Sequence, residues 1–305
     1  MAAAPGPPRR PPTGTNGIVA RSADASARAR QRRRLLRSVR THLLVGSLGL
    51  LYFFPVFWML LASTRTDAEM FHFPPHIIPQ RWAFSNYIDA FNFMPFLQYT
   101  WNTTLIAGLN VVGTVLSCSL AAYAFSRVRW HGRTFVFALV LSTMLLPYPV
   151  TVIPLYVVFS HLNLVGTFAP LILPSFFGNS FFIFLLRQFF MTLPRELDEA
   201  ARIDGASHVT IFLRIIIPLA RPALGVVAML TFLNNWTDFL GPKVYLQDPS
   251  MYTLSQGMAF FTGQHEFRWT LLMAASVLFV LPIVVVFLAA QRTFIQGIAM
   301  TGLKG

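Results

Sequence analysis

Four of the eleven acidic residues in this 305-residue chain lie within nine positions: Glu196, Asp198, Glu199 and Asp204. Arg195 precedes Glu199 by four positions and Arg202 follows it by three, spacings at which opposite charges meet on one helical face. Acids in a first turn also suit the helix dipole. These spacings predict ionic contacts on a surface helix. The Gly-x-Ser-x-Gly and His-Glu-x-x-His patterns of hydrolases are absent from the sequence, so no hydrolase chemistry is predicted.

The residues around this cluster predict a short helix followed by a bend. Pro194 suits the first position of a helix, and Gly205 permits a sharp change of direction. Ala200 and Ala201 leave one face without bulk, and a second helical stretch then runs towards Pro218. A helix of this kind suits a groove on another protein. An amphipathic loop that lies on lipid headgroups fits the same features equally well.

The composition decides the class of protein. Only 11% of the residues are charged and 55% are hydrophobic, with a mean hydropathy of +0.57. Soluble domains carry about a quarter charged residues, so a water-soluble enzyme is excluded. The aromatic content of 14% excludes a disordered chain, and the single cysteine, Cys118, excludes a disulfide scaffold.

Long stretches without charge predict six membrane-spanning helices, since a span needs about 20 apolar residues. No charged residue lies between Arg133 and Arg187, which is enough chain for two spans and a turn. Pro218 and Pro222 predict a kink where the fifth span enters the membrane. The predicted spans are about 43–63, 103–125, 134–159, 168–186, 215–236 and 269–290.

The net charge of +13 fits this topology, because basic residues are retained on the cytoplasmic side of spans. Arginines crowd the 20 residues before the first span and the even-numbered connections, which predicts that both termini are cytoplasmic. No nucleic-acid partner is implied. Residues 1–40 are rich in Pro, Ala and Arg and are expected to be a disordered basic cytoplasmic tail. The alternatives are an organellar transit peptide and, for residues 28–40, a helix on anionic lipid.

Polar groups within spans are costly, so they bond to other helices or face a water-filled path. The candidates for a solute path are Asn179, Asn234, Asn235, Trp236 and Asp238. A buried charge would be expensive at the bilayer centre, so Asp238 is expected at the outer interface. No metal site is predicted.

The cytoplasmic segment resembles the EAA loop of ABC importer permeases. Its residues are Glu199-Ala200-Ala201, then Gly205 after three positions, with Pro218 thirteen positions later. The resemblance extends over about residues 43–305 to carbohydrate-uptake permeases related to the smaller permease of the maltose transporter. It includes Leu145-Leu146-Pro147, Ile153-Pro154-Leu155-Tyr156 and the terminal Gly302-Leu303-Lys304-Gly305. One departure is Asn235-Trp236-Thr237-Asp238, where relatives often have Trp-Asn-Asp.

The resemblance implies an all-α polytopic membrane protein with six transmembrane helices, N-in and C-in, in a type I, maltose-transporter-like bundle. Residues 41–305 would form the transmembrane domain, and segment 192–214 the EAA coupling loop. Its implied function is import of a sugar, oligosaccharide or related polyol across the bacterial cytoplasmic membrane by alternating access. The residues implied to couple to the ATPase are Glu199, Ala200, Ala201, Asp204, Gly205, Ala206 and Pro218.

The implied partners are a homologous second permease, two ATPase subunits and an extracytoplasmic solute-binding protein. The last would meet the loop that contains Gly263, Gln264, His265 and Glu266. The chain itself is expected to bind no cofactor and to catalyse no reaction, with ATP and Mg on the partner ATPase. Its two lysines, Lys243 and Lys304, stand in no phosphate-binding loop pattern. The alternatives are an ion-gradient-driven secondary transporter and a membrane-embedded enzyme.

Overall fold

A computed structural model describes Gly6 and residues 16–74, 76–263 and 267–302, with side chains described between residues 36 and 291 of these ranges. Its contacts divide the chain into two units, Met1–Trp58 and Met59–Gly305. Both sites discussed below lie in the second unit. Among the described residues there is no strand, only an isolated bridge between Thr262 and Phe267.

The chain folds into helices of very different lengths. The α-helices are α1 (Asn16–Ser63), α2 (Asp67–Met70), α3 (Ser85–Phe93), α4 (Phe96–Ser126), α5 (Arg133–Ser142), α6 (Tyr148–His161), α7 (Ala169–Ile172), α8 (Ser180–Thr192), α9 (Glu196–Ile203), α10 (His208–Ile211), α11 (Ile217–Leu219), α12 (Arg221–Thr237), α13 (Leu240–Tyr245), α14 (Leu254–Met258) and α15 (Trp269–Gly302). Short 3₁₀ turns cover Thr143–Leu145, Leu173–Phe177, Pro249–Met251 and Ala259–Phe261, and a π-helical turn covers Phe212–Ile216.

Four helical segments are long and apolar enough to cross a membrane: Leu36–Ser63, Phe96–Ser126, Ala169–Thr192 and Trp269–Gln291. Two bent helix pairs bring the number to six if each pair is one span. The all-α class predicted from the sequence is confirmed. The N-in, C-in orientation stays a prediction.

Both bent pairs break where proline interrupts the helix. Arg133–Leu145 and Tyr148–His161 meet at 102°, because Leu146 precedes Pro147 and is therefore driven out of the helical region to an extended conformation. The third span, expected to be continuous over 134–159, is thus broken. His208–Leu219 and Arg221–Thr237 meet at 78°, which confirms the kink predicted there.

The amino-terminal region corrects one expectation. Residues 16–40 were expected to be disordered, but they are helical and continue without a break into the first apolar segment as α1. Ala and Arg have high helix propensity, and a helix that is already nucleated in the apolar segment extends at little cost. The earlier part of the predicted tail, residues 1–5 and 7–15, lies outside the described residues.

Helix α4 organises the second unit, because each of its halves belongs to a different apolar cluster. Its carboxyl-terminal half packs with α8 and α12 around fully buried Leu186, Phe190 and Val227. Its amino-terminal half packs with α3, α14 and α15 around Tyr99 and Phe261.

One contact of α4 requires a residue without a side chain. At Gly113, an added Cβ would lie 2.3 Å from Ser175 Oγ and 2.8 Å from the Phe176 ring. Helix α4 can therefore approach the 3₁₀ turn at Leu173–Phe177 only through glycine. Gly108, on the exposed face of the same helix, has nothing within 4 Å.

We expect Gly113→Val to destabilise the protein by about 1–3 kcal/mol, because the added methyls overpack this contact. Gly108→Val is the matched control, since it carries the same change in helix propensity without the clash. Thermal unfolding of both variants in detergent, followed by tryptophan fluorescence, measures the difference. Equal melting temperatures would show that the turn moves away from α4 freely.

Candidate coupling site and solute cavity

The predicted coupling segment forms a helix, a left-handed turn and a second helix. Helix α9 ends at Ile203 with Asp204 as its C-cap, and Gly205 follows with a φ of +80°. The Gly205 N–H donates to the Arg202 carbonyl at 3.0 Å, and the Ala206 N–H donates to the Ala201 carbonyl at 2.9 Å. This is a Schellman cap, which satisfies the last carbonyls of α9 and needs a residue that adopts a positive φ.

The next helix begins directly after this turn. Ser207 is its N-cap, and the Ser207 hydroxyl accepts a hydrogen bond from the Thr210 N–H at 3.2 Å. Helix α10, the π-helical turn and α11 then run continuously to the bend at Ala220, which leads into α12. Helix α9 is thus joined to a predicted membrane span by one capped turn and one bend.

A buried arginine from another part of the chain anchors α9. The Arg127 side chain, at the end of α4, is 2% exposed, and its Nη1 lies 3.1 Å from Asp198 Oδ2. Its Nη2 donates to the carbonyls of Phe190 and Leu193, and its Nη1 also donates to the Pro194 carbonyl at 3.4 Å. Arg127 therefore caps the carboxyl end of α8 and binds α9 at the same time.

The ion pair differs from the pairs expected from spacing. Among the described residues, the recorded salt bridge joins Arg127 and Asp198, and none joins Glu199 to Arg195 or Arg202. Exposed pairs gain little from contact, and these long side chains remain in solvent. No spacing rule could have found the observed pair, because its partners are 71 positions apart. In the sequence, Arg127 carries only a topology signal.

A cavity of about 330 Å³ opens beside the anchored helix. Basic residues dominate its lining: Arg127, Arg129, Arg133, Arg195, Arg202 and His208, against Asp198 and Glu199. Glu199 lines this cavity and is exposed. Exposed side chains or backbone are also found at Ala200, Asp204, Gly205 and Pro218, which do not line the cavity. Ala201 and Ala206 instead pack against the apolar cluster of α4, α8 and α12. The predicted coupling residues thus have one open face and one packed face.

A second cavity, of about 550 Å³, lies beside the middle of α4 and contains four of the five residues predicted for a solute path. We call it the amide cavity. Its lining residues are Asn110, Thr114, Tyr148, Pro174, Ser175, Gly178, Asn179, Phe182, Thr231, Asn234, Asn235 and Asp238. Asp238 shares this cavity with Asn110 and Thr114, and its expected position at the outer interface stays a prediction. The break after Thr237 brings the acid to the cavity.

Several of these side chains also hold the backbone. Asn179 Oδ1 accepts hydrogen bonds from the Phe181 and Phe182 N–H groups and is the N-cap of α8. Asn110 Nδ2 donates to the Leu171 carbonyl at 3.0 Å, and Asn235 Nδ2 donates to the Thr231 carbonyl at 2.8 Å. Asn234 is exposed to the cavity. The wall of the amide cavity is therefore polar, and several of its side chains are held by hydrogen bonds to the backbone of the surrounding helices and turns.

Trp236 does not belong to the amide cavity. Its side chain is 1% exposed, its ring stacks on Phe232 with a centroid distance of 5.3 Å, and its Nε1 donates to the Phe279 carbonyl at 3.1 Å. It is a packing residue between α12 and α15, because neighbouring positions on a helix point in different directions. Trp236, which was predicted for the solute path, is therefore buried between helices and does not line the amide cavity.

The predicted contact loop for a binding protein is only partly described. Gly263 is described, whereas Gln264, His265 and Glu266 lie outside the described residues. The segment before it packs on the amino-terminal end of α4, where Asn102 Nδ2 donates to the carbonyls of Ser250 and Tyr252 at 3.0 Å. Hydrogen bonds from Ser250 hold the pKa of Asp248 below its usual value.

Comparison with known proteins identifies the family. The model of the family "binding-protein-dependent transport system inner membrane component" matches residues 113–300. This range includes Arg127, the cavity beside α9, the capped turn and the lining of the amide cavity except Asn110. The chain belongs to this family. The resemblance seen in the sequence is thereby confirmed, and the protein is a permease subunit of a binding-protein-dependent transport system.

Two relatives show how far the similarity to other permeases extends. The arabinooligosaccharides transport system permease protein AraQ of Bacillus subtilis is 33% identical over 85% of this chain and 92% of its own length. The sn-glycerol-3-phosphate transport system permease protein UgpE of Yersinia pestis is 34% identical over 82% of this chain and 91% of its own.

A solved structure supports the fold. A crystal structure of a bacterial ABC transporter involved in the import of the acidic polysaccharide alginate contains a chain that matches with a TM-score of 0.74. The match covers 86% of this permease and 98% of that chain at 23% identity. At this identity the likeness shows the fold alone, which is that of an ABC importer permease.

We expect Asp198→Asn to loosen α9, because the change leaves the buried Arg127 cation without its counter-charge. Removal of one partner of a buried pair typically costs about 3–5 kcal/mol, so amide exchange in segment 194–205 of the permease should accelerate more than tenfold. Hydrogen–deuterium exchange with mass spectrometry measures this. The control is Glu199→Gln, which makes the same chemical change on the exposed face of α9. Equal exchange in the two variants would contradict the anchor.

Proposed function

We propose that this permease is one half of the pore of an ABC importer that moves a sugar, oligosaccharide or related polyol, and that α9 docks on a separate ATPase subunit. The observation that carries the proposal is the anchored α9 with the turn that follows it. In this segment Glu199, Ala200 and Asp204 are exposed, while Ala201 and Ala206 are packed. A short helix that is rigidly held on one side and open on the other can transmit a force from a protein that grips it.

The amide cavity supports a carbohydrate as the solute. Amide and hydroxyl groups offer both donors and acceptors, which match the hydroxyl groups of a sugar. The names of the relatives include a neutral saccharide, the arabinooligosaccharides of AraQ, and an acidic polyol derivative, the sn-glycerol-3-phosphate of UgpE. The relatives therefore support a polyhydroxylated solute without defining its charge.

The contacts of Arg127 support a mechanical connection between α9 and the amide cavity. Arg127 joins α9 to the ends of α4 and α8. Thr114 on α4 and Asn179 at the start of α8 each lie 13 residues from that end, which is about 20 Å along a helix. When ATPase subunits approach each other, α9 would be displaced and would tilt both helices, so that the cavity opens alternately to the two sides of the membrane.

The proposed assembly contains this permease, a homologous second permease, two ATPase subunits and an extracytoplasmic solute-binding protein, in a bacterial cytoplasmic membrane. ATP and Mg would bind to the ATPase subunits, and this chain would bind no cofactor and hydrolyse no ATP itself. The basic residues that line the cavity beside α9 favour the cytoplasmic side for α9. The arginines that precede the first span favour the cytoplasmic side for the amino terminus.

The turn at Gly205 provides a direct test of docking. An added Cβ at Gly205 meets nothing within 4 Å, so only its positive φ restricts the residue type. A β-branched residue costs about 1–2 kcal/mol in this conformation, whereas Asn tolerates it. We expect Gly205→Val to distort the end of α9 and to lower binding-protein-stimulated ATP hydrolysis by the reconstituted complex at least tenfold. Gly205→Asn should retain most of it.

The matched control is Gly166→Val. Gly166 also has a positive φ and open space around its Cβ, but it lies in the connection between α6 and α7. The same backbone strain there should leave stimulated ATP hydrolysis close to that of the wild type. Full stimulation in the Gly205→Val complex would refute docking through α9.

The loop at residues 263–266 is proposed to meet the solute-binding protein. Deletion of Gly263 to Glu266 should impair uptake and binding-protein stimulation, while the four-subunit membrane complex still assembles. Size-exclusion chromatography with multi-angle light scattering checks the assembly, and titration with the binding protein checks stimulation. Unchanged uptake by the deletion variant would remove this role from the loop.

A further inference from the structure

The amide cavity has an uneven charge composition. Asp238 is the only charged residue among those that line it, and the polar remainder consists of the amides and hydroxyl groups of Asn, Ser, Thr and Tyr. Among the residues that the structure describes, no Lys, Arg or His lines this cavity and no basic side chain forms an ion pair with Asp238. The wall contributed by this permease is therefore neutral apart from one carboxylate.

The carboxylate is fixed in place by its own turn. The Gly241 N–H donates to Asp238 Oδ1 at 3.1 Å, and the Ser255 hydroxyl donates to the Asp238 carbonyl. A Cβ at Gly241 would lie 2.5 Å from Asp238 Oδ2, so the backbone passes close to the acid. These contacts restrict the orientation of the Asp238 carboxylate.

A fixed carboxylate beside neutral amides discriminates between solutes by charge. Sugar hydroxyl groups can donate hydrogen bonds to the carboxylate and exchange hydrogen bonds with the amides. A phosphate, sulfonate or uronate group would instead meet a like charge, with no described cation in this wall to offset it.

We propose that Asp238 is a specificity-determining residue that makes this cavity favour neutral polyhydroxylated solutes over acidic ones. The proposal rests on the proposed function, because it requires the amide cavity to be part of the solute path. It adds to that function the charge class of the solute and the residue that selects it.

Thiol reactivity in the assembled transporter tests the potential inside the cavity without any need to know the solute. Asn234→Cys places a reporter on the exposed cavity wall, and Cys118→Ser removes the native thiol. Modification rates are measured at pH 7.5 with three methanethiosulfonate reagents: cationic trimethylammonioethyl, anionic sulfonatoethyl and neutral hydroxyethyl. Each rate is divided by that for free 2-mercaptoethanol, so that the cation-to-anion ratio reports the local potential.

We expect a normalised ratio well above one, and Asp238→Asn should lower it roughly tenfold, because the two charged reagents differ by two charges near the carboxylate. Asp238→Glu should keep the high ratio. The matched control is Asp248→Asn, which removes an exposed charge that is outside the amide cavity. The neutral reagent should react equally fast in all these variants, which shows that the cavity keeps its shape.

Two results would overturn the inference in different ways. A ratio that is the same in Asp238→Asn and the parent, with normal neutral modification, would show that Asp238 does not set the potential and would leave the proposed function intact. No modification of the Asn234→Cys thiol by any of the three reagents would show that the cavity is closed to water and small solutes. That result would overturn the solute path itself, and the charge selection with it.

Discussion

The arrangement of α4, α8 and α9 depends on the contacts of one buried group, the guanidinium of Arg127. The carboxyl end of α8 leaves carbonyl groups that need donors, and α9 presents Asp198 beside them. One planar group with several donors satisfies both demands, which the single ammonium group of a lysine could not do with the same geometry. Because the pair is shielded from water, the attraction is strong and the loss of either partner would be costly.

This arrangement links the two sites of the molecule. The same helices that Arg127 joins at one end, α4 and α8, carry Thr114 and Asn179 in the wall of the amide cavity at the other. Rigid helices move as bodies, so in the proposed docking mechanism a displacement of α9 would reach the cavity through α4 and α8. Gly113 strengthens the unit, because it allows α4 to pack closely against the turn that precedes α8.

Two breaks in helices place polar side chains in the lining of the amide cavity. Helix α12 ends at Thr237, and the chain turns so that Asp238 is held by Gly241. The break at Leu146 and Pro147 brings Tyr148 to the same cavity. Irregular backbone is tolerated within a membrane protein only where other protein groups or water satisfy it. The amide cavity is such a place, and its hydrogen-bonding side chains partly serve the backbone around it.

Local chemistry in the sequence determined the class of protein, the presence of several apolar segments, the kink between Pro218 and Pro222 and the helix, turn and helix around Gly205. These features depend on hydropathy and on backbone preferences of neighbouring residues, which act over a few positions. Tertiary structure decided the rest. Arg127 and Asp198 are 71 positions apart, Trp236 faces a packed interface while Asn235 and Asp238 face a cavity, and Leu146 ends a helix within an unbroken apolar run. Such outcomes depend on which helices meet and on the direction of each side chain, and no local spacing encodes either.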